Sequence, residues 1–386
     1  MKVCFISHSA RLGGAELVLL ETVEILKESG AECYAVLPGR GPLLLELQKL
    51  HVPVCVTSYA LWMSAARYSW MKRARALLNI AVKTATIAWL AWRWKCELLY
   101  SNTATVCVGA LAAALLGRPH VWHLHELGES GGLHFLFGEQ RSYGAIEKLS
   151  SLVIVPSQAV ADQLSSRLCK VPIRTAYCSM HRTGSLNHPC TSRRSGPHAY
   201  RCVMAGALTA NKGQKDAVLA LRELRRKEMD AELLIAGEGD PEYRERLRRL
   251  VQQCGLEDRV SFLGQIDDPM SQIGAADVVL VCSRAEGFGR VAVEAMLAGK
   301  PVIGAANSAT AELIRDGSNG LLYRTADSHD LAKKIEYLHG HPEVAARLGE
   351  NGQRWAQRMF TRERYQDEIV PLLASVLASP AQSVEA

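Results

Sequence analysis

Two glutamates, Glu286 and Glu294, follow an apolar run, "ADVVLV", in the C-terminal half of the chain. The residues between them predict a turn and then a helix that begins near Gly289. At ~1.5 Å per helical residue, the two carboxylates lie at most ~12 Å apart, about the span of a sugar diphospho-ribose. A carboxylate accepts paired hydrogen bonds from adjacent hydroxyls, so one Glu suits a hexose and the other suits a ribose. The pair is therefore suited to a nucleotide-sugar.

The start of this helix is suited to a phosphate. Its first turn has no acidic residue, Gly287 and Gly289 let the backbone approach a ligand closely, and Arg290 adds positive charge. A diphosphate bound there would lie between the two glutamates. The alternative is an ordinary strand–helix unit in which Glu286 caps the helix and Glu294 faces solvent.

Short apolar runs alternate with helix-length periodic segments along most of the chain, beginning with "KVCFIS" and "AELVLLETVEILKESG". This alternation predicts an α/β protein with parallel sheets wound by crossover helices. We expect two Rossmann-like domains whose sheets face a central cleft, with ligands at the carboxyl ends of the strands. The expected segments are an acceptor-side domain at 1–179, a polar linker at 180–200, a nucleotide-sugar-binding domain at 201–360, closed by a helix near 328–338, and a C-terminal helix and tail at 361–386 that pack back toward the N-terminal domain.

The composition is that of a globular, intracellular chain. Its 386 residues are 48% hydrophobic and 22% charged, which favours two domains over one. The N-terminal apolar run is too short for a signal peptide. The 11 cysteines include no CxxC pair, a pattern that favours buried thiols over a disulfide or zinc framework. We expect a cytoplasmic protein.

Residues 61–95 contain seven basic residues, five Trp and no acidic residue, within a chain of net charge +6. Such a surface suits nucleic acid or an anionic membrane, and we favour the membrane because Trp prefers the headgroup region. The alternative is a solvated basic face above a packed helix. Asn79 and Lys83 interrupt the apolar run, which favours a crossover helix over a membrane span. The predicted membrane contacts are Arg67, Trp70, Lys72, Arg73 and Arg75.

Several segments resemble the motifs of one enzyme family, in the family's order. "EGFGRVAVEAMLAGKPVIG" resembles the E-x7-E signature of the retaining family 4 glycosyltransferases, which have the GT-B fold. "SARLGGAELVL" resembles their N-terminal Gly-Gly loop, "HLHE" their central His motif and "GALTANKG" their donor-phosphate lysine motif. "LLIAGEGD" resembles their Gly-Glu-Gly strand end, and "VSFLGQI" their base-contacting loop. The resemblance covers residues 1 to about 375 and implies the GT-B fold.

The resemblance also implies roles for single residues. Glu286 would bind the hydroxyls of the donor sugar, Glu294 would bind the ribose, and Lys212 would neutralise the diphosphate leaving group. His125 would lie beside the donor sugar; a structural histidine is the alternative, and His123 shares its sheet face. The predicted catalytic residues are His125, Lys212 and Glu286. The predicted donor-binding residues are Gly13, Gly14, Lys212, Gly237, Gly264, Glu286, Gly287, Phe288, Gly289, Arg290 and Glu294.

The chain departs from the family pattern at one position. Many members have a basic residue after the glycine of the lysine-motif strand, whereas Ala207 follows Gly206 here. The charge of the diphosphate would then be balanced by Lys212, Arg290 or another group. "IDDP" is not the DxD motif of metal-dependent glycosyltransferases, so we expect no metal and no cofactor, with Lys212 and the helix start stabilising the leaving group.

These observations predict a retaining hexosyltransferase that uses a nucleoside-diphosphate sugar and a lipid-linked saccharide or glycolipid acceptor in cell-surface polysaccharide or glycoconjugate synthesis. We expect it to be peripheral on the cytoplasmic face of a membrane. The resemblance suggests front-face substitution without a covalent enzyme intermediate. The alternatives are a nucleotide-sugar epimerase on a similar fold and a non-catalytic nucleotide-binding protein at the membrane. We expect no nucleic-acid partner. A nucleic-acid binder is the remaining interpretation of the basic, Trp-rich residues 61–95, and it would show steeply salt-dependent binding to oligonucleotides.

Overall fold

The computed structural model describes residues 1–64, 69–125, 134–180, 198–266 and 268–378. The chain divides into two compact units, one formed by Met1–Ser179 with Arg362–Ala386 and the other by Met180–Thr361. Of the predicted linker, residues 181–197 lie outside the described residues.

The first unit is built on a parallel sheet. Its strands are β1 (Lys2–Ser7), β2 (Glu32–Leu37), β3 (Val54–Val56), β4 (Met63–Ser64), β5 (Leu98–Asn102), β6 (His120–His123), β7 (His134–Phe135), β8 (Leu152–Val155) and β9 (Ile173–Thr175). Seven of them form one sheet in the order β3-β2-β1-β5-β6-β8-β9, and β4 pairs with β7 in a small antiparallel sheet. Every neighbouring pair of the large sheet is parallel.

Helices cover the large sheet of the first unit. They are α1 (Gly14–Glu28), α2 (Pro42–Lys49), α3 (Trp70–Arg93), α4 (Val108–Leu116), α5 (Glu139–Leu149), α6 (Gln158–Ser165) and, from the end of the chain, α14 (Arg362–Ala378). The side chains of Val3 to Ile6 in β1 are fully buried, which explains the continuous apolar run of this central strand. Helix α14 packs on α1, where the hydroxyls of Thr22 and Tyr365 are hydrogen-bonded at 2.7 Å and Arg362 forms an ion pair with Glu28.

The second unit is built on a six-stranded parallel sheet. Its strands are β10 (Tyr200–Ala205), β11 (Ala231–Ala236), β12 (Val260–Gly264), β13 (Val278–Val281), β14 (Val302–Ala305) and β15 (Leu321–Tyr323), in the order β12-β11-β10-β13-β14-β15. Its helices are α7 (Gln214–Arg226), α8 (Pro241–Gln253), α9 (Pro269–Gly274), α10 (Arg290–Leu297), α11 (Ser308–Leu313), α12 (Ser328–Gly340) and α13 (Pro342–Met359). Helix α13 is one that the sequence pattern did not predict.

Both sheets reverse their strand order beside the first strand of the unit. In the first unit β1 lies between β2 and β5, and in the second β10 lies between β11 and β13. Chains that leave neighbouring strands toward opposite sides open a crevice at the carboxyl ends of those strands, where ligands of α/β sheets bind. The predicted site residues follow these strands.

Candidate functional site

Lys212 ends a short 3₁₀ turn, Ala210–Lys212, that follows β10. The next residue, Gly213, has φ +67°, and a Cβ there would overlap the carbonyl oxygen of Cys282, so only glycine fits between the two strand ends. Asn211 fixes the turn to the segment after β13, because its side chain accepts from the N–H of Ala285 at 3.1 Å and donates to the carbonyl of Ala285 at 2.9 Å. Two strand ends thereby hold the lysine.

Lys212 and Glu286 meet at this edge of the sheet. The Lys212 Nζ donates a hydrogen bond to Glu286 Oε2 at 2.8 Å. Both side chains are partly buried, with 29% of the lysine and 16% of the glutamate side chain exposed, so the pair is shielded from solvent on several sides yet open to a ligand. The structure thus brings together two of the three residues predicted to be catalytic.

Helix α10 begins at Arg290, after the short loop that follows Glu286. Gly289, at its N-cap, has φ +91° and provides no side-chain cap, and no acidic residue lies in the first turn. Gly287 lies between Glu286 and the helix, so neither glycine places a side chain over the helix start. Within the first turn the N–H of Ala292 donates to the carbonyl of Gly289 at 2.9 Å. The N–H groups that precede it have no partner within a helix and can face an anion.

Arg290 and Glu294 lie one turn apart on α10, with 3.8 Å between Arg290 Nη2 and Glu294 Oε1. Burial raises the pKa of Glu294, and the charge of Arg290 opposes that rise. With 12% of its side chain exposed, the second glutamate of the motif is largely buried, in contrast to the solvent-facing glutamate of the structural alternative.

Three glycines line the ends of β10, β11 and β12. The N–H of Gly237 donates to the carbonyl of Gly264 at 2.7 Å, and a Cβ on Gly237 would overlap the carbonyl oxygen of Gly206. A Cβ on Gly206 would lie 3.8 Å from Cε of Lys212, so the lysine stem runs beside this glycine. Gly237 and Gly264 are thus on the same sheet edge as Lys212.

Phe288 differs from its neighbours because its side chain belongs to the core. It is 7% exposed, and its ring packs edge-on against Phe360 at a centroid distance of 5.5 Å. The ring fixes the loop between Glu286 and α10 to the body of the unit. A donor contact of Phe288 through its backbone stays a prediction.

A partly buried ion pair supports the lysine turn, and its two residues are not among the predicted site residues. Arg284 forms two contacts of 2.8 Å with the carboxylate of Asp216, in the first turn of α7. Burial raises the pKa of Asp216, and the hydrogen bond and charge of Arg284 oppose that rise. The sequence signal was an acidic residue in the first turn after the lysine motif, but its partner is 68 residues away.

Asn307, just before α11, holds the segment that leads to Glu286. Its Nδ2 donates to the carbonyl of Ser283 at 2.8 Å and to Thr325 Oγ1 at 3.0 Å. No local motif in the sequence marks this residue.

In the first unit, His125 lies two residues beyond the end of β6. Its Nε2 is 2.9 Å from Asn102 Oδ1, and the amide of Asn102 donates to the carbonyl of Ala15 at 3.0 Å. Asn102 thereby links His125 to the start of α1. Asn102 was missed because it is 23 residues from the histidine in sequence.

His123 is a structural residue. Its Nδ1 is 2.6 Å from the hydroxyl of Tyr100, the side chain is buried, and burial lowers its pKa to about 3. It is therefore neutral at physiological pH. The rings of His123 and His125 are 4.1 Å apart, so the buried histidine supports the outer one, and His125 remains the candidate of the two.

Gly13 and Gly14 form the N-terminus of α1. The N–H of Gly13 donates to Glu16 Oε2 at 3.0 Å, and the other carboxylate oxygen of Glu16 is 3.1 Å from His8 Nδ1. A Cβ on Gly13 would lie 2.8 Å from this carboxylate, so the glycine leaves room for it. His8 and Glu16 were missed by the sequence analysis, although Glu16 is in the capping position after the glycines.

The basic, Trp-rich segment forms helix α3 and the residues around it. Trp62 is buried and stacks on Trp122 at 5.6 Å. The predicted membrane contacts Trp70, Lys72, Arg73 and Arg75 are all exposed in the first turns of α3, and Arg67 lies outside the described residues. None of the described helices combines the length and apolar character needed to cross a membrane.

Among residues 1–64, 69–125, 134–180, 198–266 and 268–378, no cluster of three or more His, Cys, Asp or Glu has the geometry of a metal site. In the "IDDP" segment, Asp267 lies outside this described part, whereas Asp268 caps α9 through the N–H groups of Met270 and Ser271.

Two family models match the chain. The model "Glycosyltransferase Family 4" matches residues 12–179, and the model "Glycosyl transferases group 1" matches residues 195–355. The first match falls in the first unit, and the second falls in the second unit.

Curated relatives agree with these matches. The "Putative glycosyltransferase EpsD" of Bacillus subtilis (strain 168) is 34% identical over 175 residues, 45% of each chain. The "Lipopolysaccharide core biosynthesis glycosyltransferase LpsE" of Rhizobium meliloti (strain 1021) is 34% identical over 137 residues, 36% of this chain and 40% of the relative. The matched region therefore spans less than half the length of these curated relatives.

Solved structures resemble the whole chain. The HepE protein of Anabaena in complex with UDP-glucose has 26% identity and a TM-score of 0.77, over 97% of this chain and 100% of that one. Sucrose-phosphate synthase from Thermosynechococcus elongatus, at 20% identity, shares the fold with a TM-score of 0.78, over 98% of this chain and 100% of that one. With a glycosyltransferase family model on each unit and this fold over nearly its full length, the chain belongs to the family 4 glycosyltransferases with the GT-B fold.

Proposed function

We propose that the chain transfers a hexose from a nucleoside-diphosphate sugar to a hydroxyl group, with the α-configuration retained. The observation that carries this proposal is the ion pair of Lys212 and Glu286, 2.8 Å apart at the start of α10. It places a cation that can stabilise a leaving diphosphate beside a carboxylate that can bind sugar hydroxyls. Membership of a glycosyltransferase family supports the same reaction class.

The ion pair suggests how a donor would bind. Lys212 and Glu286 satisfy each other's charge, and a nucleotide-sugar offers each of them a replacement partner. The diphosphate would accept the hydrogen bonds of Lys212 Nζ, while Glu286 would accept hydrogen bonds from hydroxyls of the hexose. Binding would thus exchange one charged contact for two without leaving a partly buried charge unpaired, which keeps the desolvation cost low.

Catalysis would depend on the departing diphosphate. Negative charge builds up on it as the glycosidic bond breaks, so a fixed lysine and the N–H groups of α10 stabilise the transition state more than the ground state. We propose that these groups do this without a divalent metal or organic cofactor. Glu294 would bind the ribose, and His125 is proposed as a catalytic residue beside the sugar.

UDP-glucose is the donor to test first. HepE of Anabaena, which is similar to this chain over nearly its whole length, forms complexes with UDP and with UDP-glucose. This similarity supports a nucleoside-diphosphate hexose as the donor class of the present chain.

For the acceptor we propose a lipid-linked saccharide or glycolipid at an anionic membrane surface, as a step in cell-surface polysaccharide or glycoconjugate synthesis on the cytoplasmic face. The exposed basic and Trp side chains of α3 support this location. A relative named for lipopolysaccharide core biosynthesis supports the acceptor class.

The test combines ligand binding with turnover. A thermal-shift panel of nucleoside diphosphates and their hexoses should raise the Tm with one base, since a ligand that binds only the folded state stabilises it. With that donor, Lys212→Ala should lower kcat by ~100-fold and Glu286→Gln by at least ~10-fold, because each removes contacts to the transition state. Two exposed residues of the second unit provide matched controls: Lys215→Ala and Glu257→Gln should keep wild-type rates.

The product decides between the possible functions. An NMR time course in EDTA should show an α-linked product from an α-linked donor. Conversion of the donor to its epimer without an acceptor would identify an epimerase, and binding without turnover would identify a non-catalytic protein. A β-linked product, or a rate restored only by Mg²⁺ or Mn²⁺, would exclude the retaining, metal-independent mechanism.

A further inference from the structure

Two polar side chains of helix α3 are hydrogen-bonded to the rest of the first unit. Asn79 Oδ1 accepts a hydrogen bond from the N–H of Ala60 at 2.6 Å, and Lys83 Nζ donates to Thr57 Oγ1 at 2.9 Å. The buried apolar residues of the helix are Ala76, Ile80, Ile87, Ala88, Leu90 and Ala91. The two polar residues that argue against a membrane span in the sequence thus attach α3 to the first unit.

The outward side of α3 is apolar from its first turn to its last. Trp70 is 77% exposed, Leu78 69% and Trp92 67%. The large exposed apolar residues of the helix are Trp70, Met71, Leu77, Leu78, Val82, Trp89 and Trp92. At ~100° per residue they fall within an arc of ~140°, and the helix is ~36 Å long. Single exposed apolar residues are ordinary, but a continuous stripe of this length marks an interaction surface.

Basic side chains flank the apolar stripe. Lys72, Arg75 and Arg93 lie along one border and Arg73 along the other, and all four are exposed. Within the part of the chain that the structure describes, none of the four forms an ion pair, and residues 61–95 contain no acidic residue. The surface therefore offers apolar contact in its centre and uncompensated positive charge at its borders.

This arrangement matches one kind of partner. At the surface of an anionic bilayer, acyl chains lie a few ångströms below negatively charged headgroups, and Trp side chains concentrate at that depth. When the helix lies parallel to the membrane, its apolar stripe, with Trp near both ends, can contact the acyl chains. The basic side chains at its borders can then contact the headgroups.

We propose that α3 binds an anionic lipid bilayer in the plane of its surface, with the apolar stripe inserted and Lys72, Arg73, Arg75 and Arg93 on the headgroups. This proposal extends the membrane association of the proposed function. Its link to a lipid acceptor rests on that proposed function. It adds Trp89 and Trp92, in the last turns of the helix, to the contacts expected from the basic N-terminal half.

Vesicle binding by the full chain, without donor, tests the insertion. The vesicles are phosphatidylcholine alone or mixed with phosphatidylglycerol, and brominated phosphatidylcholine serves as a Trp quencher. Wild-type protein should co-sediment with the anionic vesicles, and bromine should quench its fluorescence. The triple variant Leu78→Gln/Trp89→Gln/Trp92→Gln should bind ~10-fold more weakly and lose most quenching, since it removes the inserted surface. Leu45→Gln, at an exposed apolar residue of α2, is the matched control.

A second set of variants separates insertion into the bilayer from electrostatic attraction to its surface. Lys72→Gln/Arg73→Gln/Arg75→Gln should weaken binding to anionic vesicles, and the matched set Arg246→Gln/Arg248→Gln/Arg249→Gln on α8 should not. The proposal is overturned if wild-type protein stays in the supernatant at low salt, or if the apolar variant binds as wild type does. It is also overturned if sedimentation shows a dimer that the apolar variant abolishes, because the stripe would then join two copies of the chain. Turnover with a water-soluble acceptor is independent of these results, so either proposal can fail alone.

Discussion

At the scale of single residues, the candidate site consists of groups that fix one another. Lys212 is positioned by Asn211 and Gly213, and Glu286 by the loop that Asn307 and Phe288 hold. Such fixed charges and donors need no reorganisation when a charged transition state forms, which is the main requirement for electrostatic catalysis.

Asn102 provides the same kind of support for His125. Because the Asn102 amide donates to the carbonyl of Ala15, its oxygen faces the histidine Nε2. The hydrogen bond therefore favours the tautomer with a proton on Nε2 and leaves Nδ1 as the acceptor when the ring is neutral. Asn102 is a positioning residue if His125 acts on the sugar.

Asn102→Ala should lower kcat by ~10-fold or more, because the His125 ring loses its fixed orientation. The KM for the nucleotide-sugar should change little, because no contact to that substrate is removed. Asn102→Asp keeps the accepting oxygen and should restore part of kcat. Asn351→Ala is the matched control, since that amide also donates to a backbone carbonyl, that of Ser318, at 2.9 Å. Steady-state kinetics of the three variants provide the measurement, and a wild-type kcat for Asn102→Ala would exclude the positioning role.

The sequence identified the residues that lie within motifs and missed those that the fold brings to them. Lys212 and Glu286 each belong to a recognisable segment, although 74 residues separate them. Asn102 and Arg284 carry no local signature, and the first-turn carboxylate of Asp216 does not by itself indicate its partner. Each is identified only by a residue that is distant in sequence. Side-chain pairing across a sheet edge depends on strand order, which a single sequence does not provide.

At the scale of elements, two helices show where periodicity misleads. Apolar residues at helical spacing normally face a core, but the stripe of α3 that includes Leu78 and Trp92 faces outward. Helix α13 was missed for a different reason: Gly349 and Gly352 lower the helix propensity of its centre. The strands were easier to predict, since parallel strands are buried on both faces and appear as short continuous apolar runs.

The glycines of α13 allow close packing on the turn that follows α10. A Cβ on Gly349 would overlap the carbonyl oxygen of Gly299, and the backbone around Gly299 cannot move without shifting the end of α10. Gly349→Ala should therefore lower the free energy of unfolding by about 2 kcal/mol, as overpacking outweighs the gain in helix propensity.

Gly340→Ala is the matched control for this helix prediction. Gly340 ends α12 and a Cβ there meets no atom within 4 Å, so the change should be neutral or stabilise by about 0.5 kcal/mol. Urea unfolding of both variants compares them. Equal stabilities would mean that α13 accommodates a side chain at position 349, contrary to the tight packing.

At the scale of the whole molecule, the two units differ in their buried histidines, whereas burial raises the pKa of a carboxylate in both units, including Glu368 on α14 of the first. The first unit contains His120 and His123, whose pKa values burial lowers to about 3. In the second unit, burial raises the pKa values of Asp216 and Glu294, while the histidines in its described part are at least partly exposed. Buried neutral histidines and buried carboxylates respond to acid with opposite signs.

Acidification should therefore destabilise the first unit before the second. A histidine whose folded pKa is lowered binds more protons when unfolded, so its contribution to stability is present above its ordinary pKa of 6.5 and is lost as pH falls toward 3. Between pH 7 and pH 5 each of His120 and His123 should cost about 2 kcal/mol. The raised carboxylates act the other way, since their protonation in the folded state relieves a burial penalty as pH approaches their pKa values.

Tryptophan fluorescence can follow this difference, because six of the seven Trp residues belong to the first unit and only Trp355 belongs to the second. The midpoint of urea unfolding measured by fluorescence should decrease as the pH is lowered from 7 to 5. This decrease should occur at a higher pH than the loss of hydrogen-exchange protection in β10 to β14. His123→Gln should reduce the shift, because a group that does not titrate replaces one that must charge on unfolding. Parallel pH dependence of both units, or an undiminished shift in the variant, would show that other groups control the acid response.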